Sequence, residues 1–112
     1  MPMARNKYRN KKITVDGITF DSKKELSRYN ELILMQRAGI ISDLQRQVRF
    51  EIVPKSKTER ASYYVADFVY TKPDGKKIIE DVKSEITKRL PVYILKRKLV
   101  KHIYKDYEFI ES

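Results

Sequence analysis

The fold is decided by residues 63–83, which read YYVADFVYTKPDGKKIIEDVK. Residues 63–70 are almost all aromatic or β-branched, which is the composition of a β-strand. Proline, aspartate and glycine at 73–75 form turns readily, and a second run of strand formers occupies 77–83. The stretch predicts two neighbouring antiparallel strands joined by a tight turn.

Upstream of this stretch the sequence predicts a hairpin and a helix. Asp16-Gly17 separates the triplets 13–15 and 18–20, and Asp-Gly favours a type I′ turn because both central positions need positive φ. Ser22 suits a helix N-cap, with Glu25 completing a capping box. Gly39 suits the position after the helix. The apolar residues recur at helical spacing: Leu26, Tyr29, Leu32, Ile33 and Ala38.

The rest of the chain adds two strands and a helix. A strand over 48–53 is stopped by Pro54, a helix is expected to begin near Pro91, and a short strand covers 107–110. The last helix is expected to bury a stripe of Val92, Leu95, Leu99 and Ile103. This order predicts a mixed α/β or α+β fold, with a flexible basic arm at 1–11 and a single domain at 12–112.

Composition limits the chemistry. The chain has no cysteine and one histidine, His102, which we read as structural or as a surface residue. Any metal must therefore be held by oxygen, which points to Mg²⁺ with Mn²⁺ as a substitute. The sequence contains no apolar run that could span a membrane and no signal-peptide pattern, so we expect a cytoplasmic protein, in the host cell cytoplasm if phage-encoded.

The net charge is +10, and it is unevenly spread. Residues 1–12 carry five cations and no acid, and residues 83–105 carry eight cations against one acid. This pattern favours a polyanion such as DNA as partner, although a solvated surface has the same composition. The candidate phosphate contacts are Arg5, Lys7, Arg9, Lys11, Lys12, Lys88, Arg89, Lys96, Arg97 and Lys101.

Asp67 interrupts a run otherwise suited to a central strand. A buried carboxylate needs a partner, either a bound cation or a lysine; the alternative is an edge strand with Asp67 facing water.

The next strand adds a second acid and a lysine. Because strand side chains alternate, Asp81 and Lys83 are expected on one face of this strand, and Glu80 and Val82 on the other. The turn at 73–75 lets Asp67 and Asp81 converge. Two close carboxylates favour a divalent cation between them, and a lysine beside them can stabilise charge on a phosphate. A surface salt bridge is the plainer reading.

These residues resemble a known signature. Asp67, followed after a hairpin by Asp81-Val82-Lys83, resembles the PD-(D/E)XK motif of restriction-endonuclease-like nucleases, which include Holliday-junction resolvases and phage endonucleases. The whole chain also resembles a family of small, uncharacterised phage proteins. The segments that carry this likeness are Lys7–Asn10, Asp16–Glu25, Tyr64–Phe68 and Glu80–Lys83. The resemblance implies a central mixed β-sheet flanked by helices. Ala66 departs from the proline common before the first aspartate, and Asp81 replaces the more frequent glutamate.

The resemblance also implies a fourth site residue. Resolvase-like members have an acid on the first helix that helps to bind metal, and Glu25 occupies that place. Its capping role competes with this one, and both stay open. Gln45 or Gln47 could touch phosphate, although a plain loop amide is the simpler reading.

The leading hypothesis is a Mg²⁺-dependent endodeoxyribonuclease, catalysed by Glu25, Asp67, Asp81 and Lys83 with the three acids as metal ligands. A preference for branched DNA, and the homodimer that paired cuts require, follow from the resemblance alone. They would place the protein in phage recombination, replication or packaging. The alternative is a non-catalytic nucleic-acid-binding module whose acids are structural.

Overall fold

The structure is a computed structural model, and it describes residues 11–112. Arg5, Lys7, Arg9 and all of the predicted basic arm except Lys11 lie outside the described residues.

Six strands and three helices follow one another along these residues. They are β1 Ile13–Val15, β2 Ile18–Phe20, α1 Lys23–Arg37, β3 Ser42–Val53, β4 Ser62–Thr71, β5 Lys77–Asp81, α2 Glu85–Lys88, α3 Pro91–Ile103 and β6 Tyr107–Glu111. The main sheet has the order β3-β4-β5-β6, and β1 and β2 form a separate two-stranded sheet. β3, β4 and β5 are antiparallel neighbours, whereas β6 runs parallel to β5. The expected mixed α+β fold is confirmed.

Local sequence signals explain the β1–β2 turn and the starts of α1 and α3. Asp16 and Gly17 have φ of 51° and 79°, the positive values that the predicted turn requires. The Ser22 hydroxyl accepts a hydrogen bond from the backbone N–H of Glu25 at 3.1 Å and so caps α1. Pro91 occupies the first turn of α3, where its missing N–H costs nothing.

The main sheet carries an apolar cluster on each face. Ile78 and Ile79 are neighbours on β5 and belong to different clusters, as alternating strand side chains must. Leu32 of α1 joins the cluster with Ile78, and Val100 of α3 joins the one with Ile79. The two long helices therefore cover opposite faces of the sheet.

Two strand boundaries and one short helix differ from the sequence prediction. β3 begins at Ser42 instead of residue 48, because pairing with β4 carries it through a polar stretch poor in strand formers. β5 ends at Asp81, so Lys83 lies just beyond the strand and not within it. The four-residue helix α2 was not predicted; the Ser84 hydroxyl caps it by accepting from the backbone N–H of Thr87.

The predicted apolar stripe of α3 is wrong. Val92, Leu95 and Ile103 are 68%, 59% and 45% exposed, and of the predicted set only Leu99 packs against the sheet. The face that packs on the sheet consists instead of Tyr93, Leu99 and Val100, and Tyr104, which follows the helix directly, packs on the same side. Aromatic contacts set this rotation, since the ring of Tyr104 meets that of Phe50 edge-on at 4.9 Å. No helix within residues 11–112 is long and apolar enough to cross a membrane.

Candidate functional site

The main sheet bends at Asp67. Ala66 and Phe68 would share a face of a regular strand, yet they belong to the clusters on opposite faces of the sheet. Across the ladder, Arg46 pairs with Phe68 and Val48 with Ala66, so Gln47 stands opposite Asp67. Gln47 has φ of 51°, a left-handed conformation that is uncommon for its residue type. The bend lies where the β4–β5 ladder ends, and there the Asp67 side chain turns toward β5.

Asp67 and Asp81 are brought together at this point. Oδ1 of Asp81 accepts the backbone N–H of Asp67 at 3.0 Å, and Oδ2 of Asp67 accepts the backbone N–H of Val82 at 2.8 Å. They are 6% and 0% exposed. The predicted convergence is confirmed, and the alternative of Asp67 facing water from an edge strand is wrong, because β4 lies between β3 and β5.

Lys83 lies against both carboxylates. Its Nζ is 3.4 Å from Oδ2 of Asp67 and 3.6 Å from Oδ1 of Asp81. Burial lowers the pKa of Lys83, but the negative charges of Asp81 and Asp67 outweigh burial, and the net effect raises the pKa. Lys83 is therefore a fixed cation at neutral pH and not a proton acceptor.

Asp81 is only partly compensated. Its Oδ2 is buried and has no hydrogen-bond partner. Burial raises the pKa of Asp81, because the low-dielectric surroundings disfavour the charged carboxylate more than Lys83 stabilises it. An unpaired, buried carboxylate oxygen is costly unless a further cation or hydrogen-bond donor reaches it.

Glu25 uses its two oxygens differently. Oε1 accepts the backbone N–H of Asp21 at 2.9 Å, which is a cap shifted by one residue from the predicted capping box. Oε2 accepts Nε2 of Gln47 at 3.0 Å and lies 3.7 Å from a guanidinium nitrogen of Arg46. Burial raises the pKa of Glu25. One oxygen of Glu25 caps the helix and the other faces Gln47 and Arg46, so capping does not prevent the side chain from facing the site.

Two further residues complete the surroundings. Nε2 of Gln47 also donates to Oδ1 of Asp67 at 3.3 Å, so Gln47 joins Glu25 to Asp67, whereas Gln45 reaches only Asp43. Arg46 was missed by sequence reasoning. Its guanidinium stacks 4.5 Å above the ring of Phe20 and holds the β1–β2 hairpin beside the site. A cation and an amide flanking a predicted strand were the only sequence signals for these two positions.

The site opens into two adjoining clefts. One, of about 160 Å³, is lined by Glu25, Asp67, Lys83 and neighbouring residues. The other, of about 260 Å³, shares Ser22, Val82, Lys83 and Ser84 with the first, and lysines dominate its walls: Lys11, Lys23, Lys24 and Lys83. An acid-lined cleft thus leads directly into a cationic one.

The other candidate phosphate contacts are dispersed. Lys12 pairs with Asp21, Lys88 with Glu85 and Arg97 with Glu111. Lys101 lies over the ring of Phe109, while Lys96 is half-buried and Arg89 is exposed. The exposed position of His102 agrees with the surface reading. Of the predicted phosphate contacts within residues 11–112, only Lys11 lines the clefts just described.

The acids fit a metal ion in part. Among residues 11–112, no group of three or more His, Cys, Asp or Glu side chains is placed to hold a metal. Asp67 and Asp81 are neighbours, but the amide of Gln47 lies between Asp67 and Glu25. The hard oxygen donors and the unpaired Oδ2 of Asp81 suit a cation such as Mg²⁺.

The fold and the site define a small mixed α+β domain with a buried aspartate pair and a lysine where the β4–β5 ladder ends. The chain belongs to the family described as a protein of unknown function, DUF1064, which matches residues 5–110. No curated protein and no solved structure matched the chain.

Proposed function

We propose that this protein is a Mg²⁺-dependent endonuclease acting on DNA. The observation that carries the proposal is the convergence of Asp67, Asp81 and Lys83, with one oxygen of Asp81 buried and unpaired. A buried pair of acids beside a lysine costs stability, and a structural salt bridge on the surface would avoid that cost. A catalytic role gives a reason for the burial.

The residues that would hold the cation are Asp67 and Asp81, with Glu25 as a third ligand. A divalent ion bound there supplies a Lewis acid for phosphodiester hydrolysis. Lys83 keeps its positive charge between the two aspartates and stabilises the negative charge that develops on the phosphate. The lysines of the adjoining cleft hold the neighbouring DNA backbone.

The resemblance to PD-(D/E)XK nucleases supports the same assignment. In that signature the two acids and the lysine stand on adjacent central strands of a mixed sheet flanked by helices. Here β4 carries Asp67, β5 ends at Asp81, and α1 supplies Glu25. From the resemblance alone we also propose a phage-type nuclease acting in the cytoplasm of the host.

Replacing either aspartate should remove cleavage while leaving DNA binding intact. We expect Asp67→Asn and Asp81→Asn each to lower the Mg²⁺-dependent cutting rate by at least about 100-fold, because each removes a charge from the cation site. Wild-type cutting should stop in EDTA. The substrates are linear, flapped and four-way-junction DNA, and binding is measured separately by fluorescence anisotropy.

Asp106→Asn is the matched control, because it makes the same chemical change at an exposed position. It should cut like the wild type. Full activity in both Asp67→Asn and Asp81→Asn would refute the site. Tight binding by a wild type that cuts none of the substrates would favour the non-catalytic binding module.

We also propose that branched DNA such as a Holliday junction is the preferred substrate and that a homodimer cuts it. Paired cuts on opposite strands need two sites related by symmetry. Sedimentation equilibrium should then give twice the monomer mass of 13.4 kDa. A monomer at working concentrations, or equal cutting of linear and four-way DNA, would contradict this part of the proposal alone.

A further inference from the structure

Gln47 occupies the space between two site acids. Its Nε2 donates to Oε2 of Glu25 at 3.0 Å and to Oδ1 of Asp67 at 3.3 Å. The two protons of one amide nitrogen are thus shared between two buried carboxylates, which would otherwise repel each other. This is the position that a bridging cation would take.

The backbone is bent to place this amide there. Gln47 has a φ of 51°, which is unfavourable for a residue that is neither glycine, asparagine nor aspartate. Arg46 faces the α1 side, next to Phe20, while Val48 packs on the α3 side, so β3 changes face at Gln47. Strain at a site residue persists only where the surroundings determine it.

The Gln47 side chain lies at the surface and has room to rotate away from the acids. Gln47 as a residue is exposed, whereas the carboxylates that it contacts are buried. Rotation about its side-chain bonds would move the amide into solvent without disturbing the sheet, since exposed rotamers exchange rapidly.

We propose that Gln47 is a positioning residue that stands in for the cation: its amide holds Glu25 and Asp67 together, and a divalent ion binds by displacing it. The inference rests on the proposed function, because it takes these acids to be metal ligands. Two consequences follow. Gln47 stabilises the protein when no divalent ion is present, and it lowers the affinity for that ion, since binding must break two hydrogen bonds to charged acceptors.

The test uses Gln47→Met, which has a similar length but cannot donate, and Gln47→Ala in case the first variant does not fold. Binding of Mn²⁺ alone is measured by calorimetry, and thermal unfolding is followed in EDTA. We expect each variant to bind Mn²⁺ at least about tenfold more tightly than wild type and to unfold at a lower temperature in EDTA. Gln45→Met is the matched control on the same strand, because Gln45 donates only to Asp43.

The outcomes separate this inference from the proposed function. Equal Mn²⁺ affinity in wild type and Gln47→Met would overturn the role of Gln47 and leave the metal site standing. Weaker binding by the variant would also overturn it, since Gln47 would then be a ligand. Measurable Mn²⁺ binding by the variants but not by wild type would support the inference. If neither wild type nor any variant binds Mn²⁺, both proposals are overturned.

Discussion

Glu80 and Asp81 are adjacent buried acids with opposite environments. Glu80 is fully paired: it accepts hydrogen bonds from Arg28 at 2.6 and 3.1 Å, from Tyr70 at 2.6 Å and from Ser112 at 2.8 Å. Asp81 points to the other side of the strand and keeps an unpaired oxygen. Burial raises both pKa values, but for Glu80 the hydrogen bonds outweigh burial and lower it. Glu80 is therefore the structural acid of this pair.

Glu80→Gln should destabilise the protein without touching the site. The substitution removes the charge that pairs with Arg28, whose side chain is 25% exposed and so only partly resolvated. We expect the free energy of unfolding to fall by about 2–3 kcal/mol at pH 7, measured by urea denaturation. Glu31→Gln removes the exposed partner of Arg28 and should cost less than about 0.5 kcal/mol.

The same interaction has a defined pH dependence. Because the folded-state pKa of Glu80 is lowered, its contribution is fully present above the unfolded-state pKa of about 4.3 and is lost as the pH falls through the folded value. The stability difference between wild type and Glu80→Gln should therefore shrink in acid. A constant difference from pH 7 to pH 3 would contradict the assignment.

At the scale of elements, α3 offers a direct test of which helix face holds the core. Val100 is fully buried between the helix and the sheet, whereas Val92 on the same helix is 68% exposed. Val100→Ala should lower the free energy of unfolding by about 2 kcal/mol, because it leaves a cavity. Val92→Ala should change it by less than about 0.5 kcal/mol. Equal losses measured by urea denaturation would restore the stripe expected from the sequence.

The elements differ in how far their sequence determines them. The Asp16-Gly17 turn, the cap at Ser22 and the start of α3 at Pro91 follow from local backbone chemistry, and the prediction was right at each. The rotation of α3 depends on where Tyr93 and Tyr104 find partners in the sheet, and periodicity does not contain that information. The same holds for the early start of β3, which pairing with β4 imposes.

The candidate site divides in the same way. Alternation along a strand predicted to reach Lys83 put that residue on the side of Asp81; the strand ends at Asp81, yet Lys83 lies beside Asp81 as expected. A turn between two strands brings Asp67 to them. Gln47 and Arg46 act through a bend in the sheet and a stack on the β1–β2 hairpin. Those are contacts between distant segments, so no local pattern in the sequence reports them. Gln47 contacts Glu25 and Asp67, and Arg46 lies beside Glu25.

At the scale of the whole molecule, the net charge of +10 matters through where the cations lie. Lys11, Lys23, Lys24 and Lys83 line one cleft that continues into the acid site. Lys83 is paired with Asp67 and Asp81, but the like charges of Lys11, Lys23 and Lys24 repel one another, and a phosphate backbone relieves that repulsion. A nucleic acid held in this cleft would lie next to the acid-lined cleft of Glu25 and Asp67.

This placement predicts the salt dependence of DNA binding. DNA binding measured in EDTA should weaken linearly on a log–log plot with a slope near −0.9 for each duplex phosphate contacted. Replacing both Lys23 and Lys24 by glutamine should make the slope shallower by about 1 to 2 and weaken binding to all sequences alike. The helix itself should not suffer, because cations at the first turn of α1 oppose its dipole.

Lys55→Gln with Lys57→Gln is the charge-matched control on the exposed β3–β4 connection, outside both clefts. If the cleft guides the DNA, this control keeps most of the wild-type slope, because long-range attraction between exposed charges is largely screened beyond about 10 Å at 0.1 M salt. An equal loss in both double variants would mean that the net charge alone drives binding. Placement of the DNA beside the acid-lined cleft would then have no support from charge.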